Sequence, residues 1–275
     1  MSTTASLLLI AGLLAQAPAP PPGEKNCTTE APDDPRARLE IMKRAMTAYQ
    51  VRSADDRGMT YRLLTEPILR FSNTVGNTRD GAIFLWLDAG DRPVAAAQVS
   101  ALRDGRWIQE LSSLSIGLLT ATSTSGHEWS PSQAGVEFRP VPGAPKPAAT
   151  AEQRLRQMRD LTREIGAEDF FQNKSWQTLR LLSKPFARYG KPDSDPIDGA
   201  LFAYVLTTDP EVYLMLEARK GKDGPEWQYA FAPSTTLQVR GKVKGVEVWG
   251  LPRRPSSVSR DPNLPFHYHW FQPGE

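Results

Sequence analysis

"TEPILRFSNTVGNTRDGAIFLW", residues 65–86, and "SKPFARYGKPDSDPIDGALFAY", residues 183–204, are two versions of one phrase set 118 residues apart. Extended to the left, positions 62–86 match 180–204 at 9 of 25 places without a gap. Chance supplies about one or two such matches. Arg62-Leu63-Leu64 matches Arg180-Leu181-Leu182, Pro67 matches Pro185, and Arg70 matches Arg188. Asp80-Gly81-Ala82 and Phe84 match Asp198-Gly199-Ala200 and Phe202. Upstream, Arg38-Leu39 and Met42 pair with Arg154-Leu155 and Met158. Downstream, Trp107 pairs with Trp227, and Gly135-Val136-Glu137 with Gly245-Val246-Glu247. Landmarks in the same order imply two tandem copies of one unit, 37–147 and 148–257, related by a pseudo-two-fold. Each has the length of a small domain.

Each unit opens on a predicted helix. Leu39, Met42, Ala45, Met46 and Tyr49 recur at three- and four-residue spacing, as do Leu155, Met158, Leu161 and Ile165. Asp33-Asp34-Pro35 and Thr150 supply start signals. Strand patterns follow. Pro67 and Pro185 interrupt extended runs, and proline cannot donate to a ladder, so an edge or a bulge belongs there. "GAIFLWL" and "GALFAYVL" are continuous apolar runs, expected of strands buried on both faces. Short turns between the later runs imply antiparallel meanders. The predicted class is therefore α+β, one helix covering one sheet of about five strands in each copy. The order of elements resembles the cystatin-like and NTF2-like arrangement. The motifs RLL[ST]-x-P-x-x-R-[FY] and DGA-[IL]-F resemble those of uncharacterised secreted bacterial proteins with duplicated domains. That resemblance spans roughly residues 38–257, and it implies export without implying an activity.

At the N-terminus, Ala5–Ala15 is an apolar run followed by Ala17 and Ala19, which predicts a signal peptide over 1–19 and an exported, periplasmic or secreted, protein. The run is too short for a transmembrane span, which takes about 20 residues. Residues 20–36 read as a Pro-rich linker and 258–275 as a tail rich in proline and aromatics. Cys27 is the one cysteine, so no internal disulfide forms. With 33 basic against 31 acidic side chains, the chain lacks the positive excess that a nucleic-acid binder needs.

Candidate site residues are few. Arg70 and Arg188 are either scaffold, paired with Asp80 and Asp198, or a pair of anion-binding guanidiniums. Asp80 and Asp198 themselves read first as turn residues before a glycine. Asp193, Asp195 and Asp198 approach the spacing of a calcium loop in the second copy alone. In "FHYHW", His267 and His269 lie two apart, on one face of an extended chain, and form half of a metal site. Completing it requires His127 or carboxylates, since zinc takes three or four ligands. No nucleotide, zinc-protease or nucleophile-elbow motif is present, and no cofactor is implied. These features predict a non-catalytic envelope protein that binds an unidentified protein or small molecule. The competing expectation is a hydrolase using carboxylates or a histidine-bound metal between the copies. An enzyme would break the internal symmetry at its site by placing polar residues in one copy where the other is apolar.

Overall fold

The computed structural model describes residues 32–55, 58–171 and 174–273. The predicted signal peptide, Cys27 and the linker up to residue 31 lie outside the described residues. The first half carries α1 (Pro35–Thr47), β1 (Tyr49–Ser53), β2 (Arg62–Leu63), β3 (Leu69–Asn73), β4 (Thr78–Leu87), β5 (Pro93–Leu102), β6 (Trp107–Ser113), β7 (Leu119–Ser123), β8 (Glu128–Trp129) and β9 (Arg139–Pro140). The second carries α2 (Ala151–Leu161), β10 (Ile165–Phe171), β11 (Ser175–Thr178), β12 (Arg180–Leu181), β13 (Ala187–Tyr189), β14 (Asp198–Val205), β15 (Pro210–Gly221), β16 (Gly224–Pro233), β17 (Val239–Val243) and β18 (Val246–Leu251). A single helical turn, α3 (Ser256–Ser259), leads to β19 (Phe266–Phe271).

The α+β expectation is overturned. Among the described residues strand accounts for 47% and helix for 11%, in three helices and four antiparallel sheets. The periodicities mark α1 and α2, capped by the Asp34 and Thr150 side chains, while their last members, Tyr49 and Ile165, open β1 and β10 instead. But a helix of 11 or 13 residues is too small to cover a long sheet, and the covering layer is itself mostly strand. In the first half α1 shares that layer with a small sheet ordered β1-β7-β8. In the second half α2 shares it with β11-β10-β17-β18. Between these outer layers lie two larger sheets, β19-β6-β5-β4-β2 with β3 also on β4, and β12-β14-β15-β16-β9 with β13 also on β14.

The two large sheets face each other. Leu85, Ala96 and Leu114 of one pack against Leu201, Tyr213 and Ala230 of the other. Their opposite faces pack on the outer layers, Phe84 and Trp86 with Met42 and Met46, and Phe202 and Leu214 with Met158. That four-layer order is why β4 and β14 are apolar on both faces. Among the described residues, no helix is long and apolar enough to cross a membrane.

The repeated phrase has a repeated register. Leu63 pairs with Trp86 and Phe71 with Gly81; 118 residues on, Leu181 pairs with Tyr204 and Tyr189 with Gly199. Each proline sits where the ladder pauses between two short strands. The glycines are required by close approach: a Cβ on Gly81 would sit 2.3 Å from the Phe71 ring, and one on Gly199 2.5 Å from the Tyr189 ring. Trp107 and Trp227 occupy matching places, opposite Ala101 and Ala218. The match between Gly135-Val136-Glu137 and Gly245-Val246-Glu247 does not extend to structure. Val136 is buried between the large sheets, whereas Val246 follows a hairpin turn and is 65% exposed.

Candidate functional site

The structure brings Arg70 to Asp80 and Arg188 to Asp198, each within its own half. Arg70 Nη2 donates to Asp80 Oδ2 at 2.6 Å, and Arg38 Nε donates to the same oxygen at 2.9 Å. Arg188 binds Asp198 through Nε and Nη2 at 3.0 and 2.7 Å, and Arg154 Nε adds a bond of 2.8 Å. Arg38 and Arg154 also tie down the chain ahead of each helix, through the carbonyls of Pro32 and Asp33 and of Ala148 and Ala149. Two guanidiniums on one buried carboxylate thus fasten helix to sheet twice over. In the acidic loop, Asp195 accepts from the Lys220 backbone, and Asp198 is taken by its arginines.

The histidines converge. Ligand atoms of His127, His267 and His269 all lie within 4.8 Å of one another, and this is the one such cluster among the described residues. His267 and His269 come from β19, which pairs with β6 and sets His269 beside Gln109. His127 precedes β8 in the outer layer, its N–H held by Ser123 Oγ at 3.0 Å. His127 Nε2 is 3.0 Å from His267 Nε2, and the His127 and His269 rings stack at 3.6 Å. The edge of a tetrahedron with metal–nitrogen bonds near 2.1 Å is about 3.4 Å, so the spacing of the nitrogens suits one ion, and holding it requires the His127 and His269 rings to turn out of their parallel stack.

The surroundings favour lone pairs over protons. Burial lowers the pKa of all three histidines; His267 falls to about 4, with the neighbouring His127 adding to the effect. The Tyr49 hydroxyl donates to Gln109 Oε1 at 2.9 Å, so its oxygen is left to accept from His127 Nδ1, also at 2.9 Å. That bond places the His127 proton on Nδ1 and leaves Nε2 to coordinate, the outer-sphere arrangement typical of metal-ligating histidine. The buried His269 Nδ1 has no hydrogen-bond partner. A cavity of about 200 Å³ reaches His269, Tyr49 and Gln109, and among the described residues no carboxylate lines it.

The site breaks the internal symmetry. Tyr49 stands opposite Ser123, and the Ser123 N–H donates to the His127 carbonyl across the β7–β8 turn. At the matching register, Ile165 stands opposite Val243 and Val243 opposite Val246. Gln109, paired with His269, is matched by Tyr229, paired with Arg139. The polar row Tyr49, Ser123 and His127 in one half replaces the apolar row Ile165, Val243 and Val246 in the other.

Carboxylates gather elsewhere. Glu110, Asp209 and Glu211 lie near the seam of the large sheets, and burial raises all three, Glu110 to about 7. Asp169 on β10 is raised to about 6 for the same reason. They do not come close enough together to form a metal-binding group of the kind the histidines make.

The sequence offers His267 and His269 as half of a metal site, to be completed by His127 or by carboxylates, and the structure brings His127 to the pair. Tyr49 and Gln109 carried no sequence signal, because their role depends on strand pairings 60 and more residues long. No family model, curated protein or solved structure matches the chain.

Proposed function

We propose that this is a binding protein whose His127, His267 and His269 hold one transition-metal ion of the zinc class. The observation that carries the reading is the polar row Tyr49, Ser123 and His127, set where the other half has Ile165, Val243 and Val246. A scaffold has no need to break its symmetry there. Three imidazole ligands suit zinc, cobalt or nickel rather than calcium or magnesium. The apolar run at 5–15 supports export, and the repeated registers support an origin by duplication of one unit.

The second reading is a metal hydrolase. It is favoured by the same break in internal symmetry, which is the expectation for an enzyme, and by three protein ligands, which leave a coordination position open beside a cavity at His269. The site lies between the first outer layer and the C-terminal strand, not between the two halves.

Calorimetric titration of the full chain with Zn²⁺ tests the metal reading. One ion per chain is expected, with His127→Gln and His267→Ala each abolishing the heat. Tyr49→Phe, which releases His127 Nδ1, is expected to weaken binding about 10- to 100-fold. Absence of uptake, or uptake indifferent to the histidine variants, would reduce the cluster to ring packing.

A further inference from the structure

A second cavity, of about 530 Å³, lies where the halves meet. Val136 and Arg139 line it from the first half, and Tyr229, Phe231, Trp249 and Arg254 from the second. Its origin lies in strand pairing. In the first half β19 runs along β6 for six residues and covers the outer layer. Trp129 is there fully buried, its Nε1 donating to the Leu264 carbonyl at 2.9 Å. In the second half β9 pairs with β16 at two residues only, Gln228 and Tyr229. Trp249 stands opposite Gly241 as Trp129 stands opposite Ala121, yet it is only partly buried and faces the cavity.

We propose that this cavity binds a small planar aromatic anion, an aryl carboxylate or sulfonate, with its ring against Phe231 and Trp249 and its charged head on Arg254. The volume falls within the usual range for small-molecule sites. The walls are aromatic, and Phe231 and Trp249 already stack on each other at 5.4 Å and 23°, which is the geometry that receives another flat ring. The charge is set by Arg254. Arg139 is engaged by Glu137 Oε2 at 3.1 Å and the Val248 carbonyl at 2.9 Å. The Arg254 guanidinium has neither a hydrogen bond nor an ion pair among the described residues. Burial alone lowers its pKa, with no carboxylate opposing the shift. A half-buried guanidinium without a partner is costly, and a carboxylate head offsets that cost with two parallel bonds. This site is independent of the histidine cluster, and its test is independent too.

The probe is naphthoate, titrated into the full chain while tryptophan emission is followed. Saturable quenching is expected, with Trp249→Phe losing the quenching and binding naphthoate more weakly by equilibrium dialysis. Arg254→Met should weaken naphthoate by at least about tenfold, and Arg254→Lys should restore part of the loss. Neutral naphthyl methanol should bind at least about tenfold more weakly than naphthoate. Thermal melts establish that the Arg254 variants are folded. Equal binding of the neutral compound, an unchanged affinity in Arg254→Met, or no naphthoate binding would each overturn the proposal.

Discussion

Glu217→Met should open the seam between the large sheets. Glu217 is fully buried on β15, and Arg92, between β4 and β5, reaches across to it, Nε to Oε1 at 2.8 Å. The Tyr189 hydroxyl donates to the same oxygen at 2.8 Å, and Arg219 Nη1 lies 3.4 Å from Oε2. Removing the carboxylate strands the Arg92 guanidinium, whose side chain is 9% exposed, and leaves Tyr189 without its acceptor. Breaking one partner of a buried pair costs about 3–5 kcal/mol. In a chain of this size that lowers Tm by about 6–20 °C, at roughly 2–4 °C per kcal/mol. Arg92→Met together with Glu217→Met should recover most of the loss, because an apolar replacement of both charges is often close to neutral. Arg219, partly exposed, can turn to solvent. Urea denaturation of wild type, both single variants and the double variant closes the cycle. A loss under about 1 kcal/mol in Glu217→Met, or a double variant as costly as the two singles summed, would refute the view that this pair joins the halves.

Phe84 and Phe202 sit at matching places and are 0% and 1% exposed, so Phe→Ala at either should cost about 3–5 kcal/mol in a urea melt. A cost in one half alone would mean that the two cores are not equally packed. Glu110 supplies a pH test: below about pH 4.5 its carboxyl is protonated folded or unfolded, whereas between 4.5 and about 7 only the unfolded chain releases the proton. Stability should therefore fall across that window by up to about 3 kcal/mol, and Glu110→Gln should remove that part of the slope; parallel pH profiles for the two proteins would contradict the assignment.

Local chemistry made much of the fold legible. Pro67 and Pro185 break their strands because a residue without an N–H breaks a ladder anywhere. The glycines at 81 and 199 recur because Phe71 and Tyr189 each lie across the strand. Arg38, Arg70 and Asp80 recur as Arg154, Arg188 and Asp198 because a shared buried carboxylate needs all three members. These are contacts within one half, and two copies of a contact leave two copies of a pattern.

What covers what was not legible. Alternation and apolar runs record how many faces of a strand are buried, not whether a helix or another sheet buries them. The α+β expectation failed on that point, since β1, β7, β10 and β17 supply most of each outer layer. The histidine site required more still. His267 and His269 declared themselves as a pair by spacing. His127 lies 140 residues away from His267, and Tyr49 and Gln109 are ordinary residues in strand patterns. Only the pairing of β19 with β6, and of β1 with β7, puts these side chains on one point. Sequence determines the face on which a side chain lies, because that depends on a period of two. Which distant strand lies beside it depends on the packing of the whole chain, and only the tertiary structure decides it.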